Sequence, residues 1–344
     1  MIGVVFKGDR VLELMAFEDP TPGDNDVVLE MKASGICGSD LKNYRGTYSG
    51  KAKIDGPVIA GHEPCGVVVA AGKAVTGKVA SIGSRVMVHH YKGCGCCNDC
   101  MSGWTQLCTD RQASYGLTAH GGHAKYLRVP ADTLIELPAG LSFEAGAAIS
   151  CGSGTAWGAL QRLGYSNRHP VLVVGQGPVG LATTQFAVAM GGEVIALDIN
   201  DERLERSKLL GAAHVVNTSK VDALAAINEI TGGKGVPMVV DTSGSPQGSL
   251  DAVRCASIWG HVVMIGMGST VTLDVSEHLI RKQLTVQGSW TFSKAWQADC
   301  ANFVRKRWVP VDALFTHRWS LEQASEAYEL FDAQKTGKSV IVFQ

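Results

Sequence analysis

Long apolar runs are missing from this chain: no stretch approaches the ~18 consecutive apolar residues that would suggest a membrane-spanning helix. Neither sign of charge prevails either, since 31 basic residues stand against 32 acidic ones for a formal net charge of −1. Electrostatics therefore gives no reason to expect nucleic acid or an anionic membrane as the partner, and a small, roughly neutral ligand fits better. Proline is sparse, 11 residues against 41 glycines, which points to many tight turns and not to disorder. A fraction of 45% hydrophobic residues with 18% charged ones is that of an ordinary globular protein. Residues 1–10 read as a short apolar strand followed by Lys7-Gly8-Asp9, without the basic start, long apolar centre and small-residue cleavage site of a secretion signal. The expectation is a cytoplasmic protein, and its ten cysteines then read as metal ligands or reduced core thiols before disulfides.

At 344 residues the chain exceeds what one hydrophobic core usually supports, so two domains are expected. Residues 1–90 carry short β-like runs such as Val27-Val28-Leu29-Glu30-Met31 and Gly66-Val67-Val68-Val69, separated by Pro-Gly, Gly-Lys and Asp-Gly turns. This predicts a compact β body. Its loops hold Gly35-Ile36-Cys37-Gly38-Ser39-Asp40 and Gly61-His62-Glu63-Pro64-Cys65-Gly66. A thiol, an imidazole and a carboxylate are the ligand types a borderline-soft divalent metal selects, which suggests a catalytic zinc.

The densest cysteine cluster follows: Cys94, Cys97, Cys100 and Cys108, with Cys96 as an extra thiol inside the spacing. Four thiolates so close in sequence can close a tetrahedral shell around one zinc and leave no open position, so this site is read as structural. Cys96 leaves the register open, because it could replace a neighbour.

The second domain begins with Val171-Leu172-Val173-Val174, then Gly175-Gln176-Gly177-Pro178-Val179-Gly180 and a helical run over 181–190. Strand, glycine turn and helix in that order let a helix N-terminus face a pyrophosphate. The next strand ends at Asp198, 23 residues after Gly175. A carboxylate there can accept both adenosine ribose hydroxyls and would repel a 2′-phosphate, which favours NAD over NADP. Arg203 either lies over the adenosine or is a solvated helix charge. Strands and helices then alternate to Gly266, as a doubly wound parallel sheet requires, and helices near 296–307 and 321–333 precede a last strand that is expected to rejoin the first domain.

Cys37, the Gly61-His62-Glu63 motif, the four-cysteine lobe, Cys151 and the Gly175 to Gly180 loop occur in the order seen in zinc-dependent medium-chain alcohol and polyol dehydrogenases, and the chain resembles that family over its whole length. The resemblance implies an α/β protein: a GroES-like, β-rich catalytic domain formed by residues 1–152 with the structural zinc lobe at 94–108, a Rossmann doubly wound parallel-sheet domain over 153–289, and a return to the catalytic domain over 290–344, with the active site in the cleft. It further implies Cys37, His62 and Cys151 as catalytic zinc ligands, the two-cysteine, one-histidine set of alcohol dehydrogenase. Glu63 would stand behind the metal or replace a ligand transiently. Asp40 would orient His62, Ser39 would receive the alcohol proton, and Thr155 would lie near the nicotinamide. Many relatives continue the proton relay with a histidine three residues after the serine, where this chain has Lys42. His90 falls where some relatives carry an aromatic pocket wall, and a polar group there hints at a substrate with several hydroxyls; as a plain surface or core histidine it would mean nothing.

The resulting expectation is an enzyme that oxidises a secondary alcohol or polyol with NAD, assembled as a homodimer or homotetramer. Amino alcohols such as threonine, and primary alcohols, remain open, because loops around Tyr44, Tyr48, Tyr115 and Trp290 would shape the pocket. The rivals are a zinc-independent reductase of the same fold and a zinc-ribbon binding module without turnover.

Overall fold

The computed structural model describes residues 1–47, 55–110, 112–335 and 337–344. They divide into two compact units, Met1–Gly154 with Ser293–Gln344, and Thr155–Phe292. From the sequence the divisions are expected at 152/153 and 289/290; in the structure the first falls inside the helix Gly152–Leu163, which continues unbroken through the change of unit.

The first unit is organised on the eleven-residue strand Asp26–Ile36, whose apolar residues Val27, Val28, Leu29, Met31, Ala33 and Ile36 are buried. It pairs antiparallel with Glu63–Ala71 on one side and with Lys338–Val342 on the other, while Tyr126–Pro130 pairs with its N-terminal half. Phe315–Trp319, Arg85–Val88 and Leu134–Glu136 complete a seven-stranded sheet. The last strand of the chain thus lies beside one of the first. The region expected to be all β also contains the short helix Asp40–Tyr44, whose first residue accepts the Cys37 N–H at Oδ2 (2.9 Å) and so folds the chain back on itself. The helix Phe143–Ile149 is capped by Ser142, which accepts the Ala145 N–H, and it lies so close to the sheet that a side chain at Gly146 would stand 2.3 Å from the Cys65 sulfur.

The second unit is a six-stranded parallel sheet in the order His214–Asn217, Val194–Asp198, Val171–Val174, Val236–Asp241, Ala256–Met264, Thr285–Gly288. Counting its strands along the chain, the order is third, second, first, fourth, fifth, sixth, which defines a Rossmann fold. Strands covered on both faces read as continuous apolar runs, and Val171, Leu172, Val173, Val174 and Val194 to Leu197 are all buried. Among the described residues no helix is long and apolar enough to cross a membrane.

One buried histidine of the first unit makes stability depend on pH. His89, whose Nδ1 lies 3.1 Å from Gln297 Oε1, is held down to about 4 by burial. An unfolded histidine takes up its proton near 6.5, so above that pH neither state binds it and the contribution is constant. As pH falls from about 6.5 towards 4 the unfolded chain alone gains a proton, and stability drops by on the order of 3 kcal/mol from this group. Thermal melts across that window should show a shallower acid slope for His89→Gln than for wild type; parallel curves would remove His89 from the account.

Candidate metal centre and cofactor loop

Three strand ends of the first unit meet at one edge. The strand Asp26–Ile36 ends by delivering Cys37, and its register, Gly35 opposite Glu63 and Ile36 opposite Ser339, sets His62-Glu63 on one side and Lys338 on the other. Cys151 arrives from the end of the helix Phe143–Ile149. Ligand atoms of Cys37, His62, Glu63 and Cys151 all lie within 4.8 Å of one another, and the two sulfurs are 3.9 Å apart. Two thiols, an imidazole and a carboxylate converging this closely are a donor set suited to zinc. The Cys151 thiol, donating to Cys37, holds Cys37 well below the usual thiol range, with His62 and Lys338 helping, while Cys151 itself is pushed up. One thiolate beside one protonated thiol is a pair poised to exchange its proton for a metal.

The surroundings of His62 are equally specific. Its Nδ1 lies 2.7 Å from Asp40 Oδ1 and its Nε2 3.1 Å from the Ser39 hydroxyl. Burial opposes a charge on the ring, but the Asp40 carboxylate outweighs burial and lifts its pKa well above the usual range. Ser39 precedes the helix Asp40–Tyr44 yet makes no capping bond, which leaves its hydroxyl directed at His62 and, at 3.4 Å, at Cys37. His90 is buried with its ring 5.2 Å from that of His62, and its Nδ1 donates to the Ser150 carbonyl at 3.0 Å. Lys42 is exposed.

Lys338 belongs to no motif of the sequence. It is buried, bonds both carboxylate oxygens of Glu63 and donates to the Ile36 carbonyl at 3.0 Å. Burial would remove its charge, but Glu63 and the two thiols keep it an ammonium, while burial pushes Glu63 up to about 7 against the pull of Lys338. A side chain at Gly35 would fall 1.8 Å from Glu63 Oε2, so glycine is needed there for the carboxylate to lie where it does. The available signal for Lys338 is a lysine opening a short strand that runs on through Ser339 into Val340, Ile341 and Val342. Of the aromatics whose surrounding loops are expected to shape the pocket, Tyr44 packs on Phe6 and Tyr328, and Tyr115 is buried among the sheet residues Val86 and Leu127, so both side chains are core residues. They fill the interior because each flanks an apolar sheet face. Trp290 is exposed, and Tyr48 lies outside the described residues.

The four-cysteine lobe gathers Cys94, Cys97, Cys100 and Cys108, with their sulfurs also within 4.8 Å of one another. The Cys94 sulfur accepts the backbone N–H groups of Cys96 and Cys97, which bring its pKa down to about 6. These donors stabilise a thiolate, the form a metal binds. Cys96 is exposed, its sulfur 3.6 Å from that of Cys94 and outside the group of four.

In the second unit, Gly177 precedes the helix Pro178–Ala189, with Pro178 in its first turn and Val179 next to it. A side chain at Gly180 would stand 1.9 Å from the Gly175 carbonyl, whereas one at Gly177 would meet nothing within 4 Å. The loop is therefore tight against its own strand and open over the helix N-terminus, where backbone N–H groups can receive a phosphate. Gln176 is buried and accepts hydrogen bonds from the Thr184 and Ser207 hydroxyls, which brace the loop. Asp198 ends its strand with Oδ1 accepting the N–H groups of Ile199 and Asn200 and Oδ2 that of Gln176, and Arg203 Nη1 lies 4.0 Å from Oδ2. Thr155, half-buried, sits in the first turn of the helix Gly152–Leu163.

A Rossmann unit joined to a β unit bearing a mixed thiol-imidazole centre defines a dinucleotide-dependent metalloenzyme class. The family comparison narrows it. The alcohol dehydrogenase GroES-like domain matches residues 23–139, and the zinc-binding dehydrogenase domain matches residues 178–306. The uncharacterised zinc-type alcohol dehydrogenase-like protein YphC of Escherichia coli K12 is 40% identical over 100% of this chain and 99% of its own. A sorbitol dehydrogenase of Halalkalibacterium halodurans is 30% identical over 94% and 92%. A protein described as a short chain alcohol dehydrogenase of Escherichia coli CFT073, solved with NADH, superposes with a TM-score of 0.90 at 27% identity, covering 100% of this chain and 99% of that one. The chain belongs to the zinc-type alcohol dehydrogenase family.

Proposed function

We propose that the chain is a zinc- and NAD-dependent dehydrogenase that reversibly oxidises a secondary alcohol to a ketone, with polyols and sugar alcohols as the favoured substrates. The observation that carries this reading is the convergence of Cys37, His62 and Cys151 with the Ser39 hydroxyl beside the His62 ring. Cys37, His62 and Cys151 would hold the catalytic zinc with Glu63 as a neighbour, and Cys94, Cys97, Cys100 and Cys108 the structural one. Zinc at the first centre supplies Lewis-acid polarisation of the substrate oxygen, and NAD supplies the hydride acceptor. Asp40 fixes His62 in the tautomer that turns Nε2 away from the carboxylate and towards the centre. Ser39, both donor and acceptor, takes the proton of the substrate hydroxyl. An ammonium such as Lys42 offers donors only, so it cannot take the proton on from Ser39 in the way a neutral histidine would.

His90, buried with its Nδ1 given to the Ser150 carbonyl, fits a core histidine, so the preference for polyols rests on the family resemblance and not on this ring. The test is a panel of polyols, simple secondary alcohols, primary alcohols and threonine, followed by NADH formation with and without a chelator. The expected result is chelator-sensitive turnover that is fastest with polyols; turnover on none of them would overturn the reading, and a clear preference for threonine would move it to amino alcohols.

For the cofactor, the Gly175 to Gly180 loop would take the pyrophosphate and Asp198 the ribose. Asp198 also holds Arg203 nearby. Asp198→Gly removes the acceptor for the ribose hydroxyls and releases a guanidinium suited to a 2′-phosphate, so the NAD to NADP ratio of kcat/KM should fall about 10-fold or more. An unchanged ratio would take Asp198 out of the pocket. Assembly as a homodimer or homotetramer is supported by the sheet-edge strand Thr285–Gly288 with exposed Val286, and by exposed Ile258 and Trp259 on the adjacent strand.

A further inference from the structure

The contacts behind His62 do not stop at Asp40. Asp40 Oδ2 faces not only the Cys37 N–H but also the Tyr328 hydroxyl, at 3.3 Å. The Tyr328 oxygen lies 2.8 Å from His123 Nε2, and His123 Nδ1 lies 2.8 Å from the Ser34 hydroxyl. Asp40, Tyr328, His123 and Ser34 are each 0% exposed. They come from separate parts of the chain: the central strand, the start of the helix Asp40–Tyr44, the segment before the strand Tyr126–Pro130, and the helix Ala324–Asp332.

Counting donors fixes the direction of every bond. A carboxylate accepts only, so Tyr328 gives its single O–H proton to Asp40 and its oxygen accepts from His123 Nε2. A neutral imidazole has one N–H, which leaves His123 Nδ1 as an acceptor and makes the Ser34 hydroxyl the donor. Burial brings the His123 pKa down to about 4, in keeping with a neutral ring. The chain therefore runs Ser34 to His123 to Tyr328 to Asp40, and aligned bonds of this kind polarise one another. On the far side of Asp40, His62 spends its Nδ1 proton and presents Nε2 to Cys37 and Cys151.

These polar groups stand in otherwise apolar surroundings. Tyr328 packs with Val4, Ile36, Tyr44, Trp319 and Phe331, where a phenylalanine would fill nearly the same space without a hydroxyl to satisfy. Gly61 sits at φ +91°, and a side chain there would fall 2.3 Å from His123 Nδ1, so the glycine before His62 also makes room for the His123 ring.

We propose that Tyr328 and His123, ordered by Ser34, are positioning residues of the metal centre: they hold the Asp40 carboxylate in place and through it set the tautomer and basicity of His62. The inference rests on the reading of His62 as a zinc ligand. Removing the chain leaves the Asp40 carboxylate held at Oδ2 by the Cys37 N–H alone and makes His62 a less well-oriented donor, and partners of this kind change metal affinity by about 10- to 100-fold.

The experiment measures zinc release to a chromogenic chelator, with Cys37→Ala marking which step of release belongs to this centre. Tyr328→Phe and His123→Phe are each expected to weaken zinc there about 10-fold, and the double variant little further, because either change breaks the same chain. His123→Gln, whose amide can donate to Tyr328 and whose carbonyl can accept from Ser34, should retain most of the affinity. Zinc affinity within twofold of wild type in both phenylalanine variants would overturn the proposal, whatever happens to their melting temperatures. So would a loss that His123→Gln shares in full, which marks simple repacking. A wild-type protein with no release step that Cys37→Ala removes would instead overturn the reading of the centre, and this inference with it.

Discussion

Cys37→Ala and His62→Ala are expected to lose dehydrogenase activity by at least about a thousandfold while the fold survives, with His62→Ala the less stable of the two because it leaves the buried Asp40 carboxylate without its imidazole partner. Cys37 leaves the end of a strand whose apolar residues stay paired and buried without its sulfur, and His62 lies in a loop before the strand Glu63–Ala71. The sheet therefore survives while the centre loses a donor. Cys100→Ala should behave in the opposite way, with stability or solubility failing first. Its lobe contains two short helical turns, Asn98–Met101 and Thr105–Leu107, and the two-residue strands Tyr91–Lys92 and Ala113–Ser114, while Met101 and Leu107 are exposed. So little apolar burial cannot order a segment by itself, and a metal held by the four thiolates would supply the missing free energy. Metal analysis with thermal melts separates the two roles: each substitution should remove one zinc of two. A Cys37 variant that unfolds, or a Cys100 variant that is stable but inactive, would exchange the roles assigned to the two centres.

Lys338→Met should produce the largest loss of stability of any single change at the active centre, about 3–5 kcal/mol by chemical denaturation. Lys338 and Glu63 are both buried, and the ammonium also bonds the Ile36 carbonyl. Methionine fills similar volume but leaves the Glu63 carboxylate without its countercharge in an apolar site. Adding Glu63→Gln should restore much of the loss, since a neutral pair no longer carries an uncompensated charge. Zinc content measured alongside reveals whether Glu63, once released, takes a place on the metal. A single-variant loss below about 1 kcal/mol would mean that the pair is not the electrostatic anchor its burial indicates.

Much of the site was legible before any coordinates because its signals are local. Cys94, Cys97, Cys100 and Cys108 lie within one loop, and a metal needs only that the loop close on itself. Gly175, Gly177 and Gly180 follow a buried apolar strand and precede a helix, so sequence order alone forecasts the phosphate-binding turn. The sheet of the second unit follows from alternating strand and helix by the handedness of parallel connections. The direction of the aromatic side chains is not legible in the sequence: Tyr44 and Tyr115 both pack inward with the apolar residues of the first unit.

The sequence by itself pointed to the four-cysteine cluster and the glycine loop, each written in residues a few positions apart, and its family resemblance joined Cys37, His62 and the distant Cys151. Only the tertiary structure decided what stands behind the metal centre. Lys338 meets Glu63 across 275 residues, Tyr328 meets Asp40 across 288, and His123 meets Tyr328 across 205. Those encounters depend on the register that sets Ser339 opposite Ile36 and Gly35 opposite Glu63. Register is fixed by which side chains share a buried face once all the strands are assembled, and no neighbouring residue in the chain carries that information.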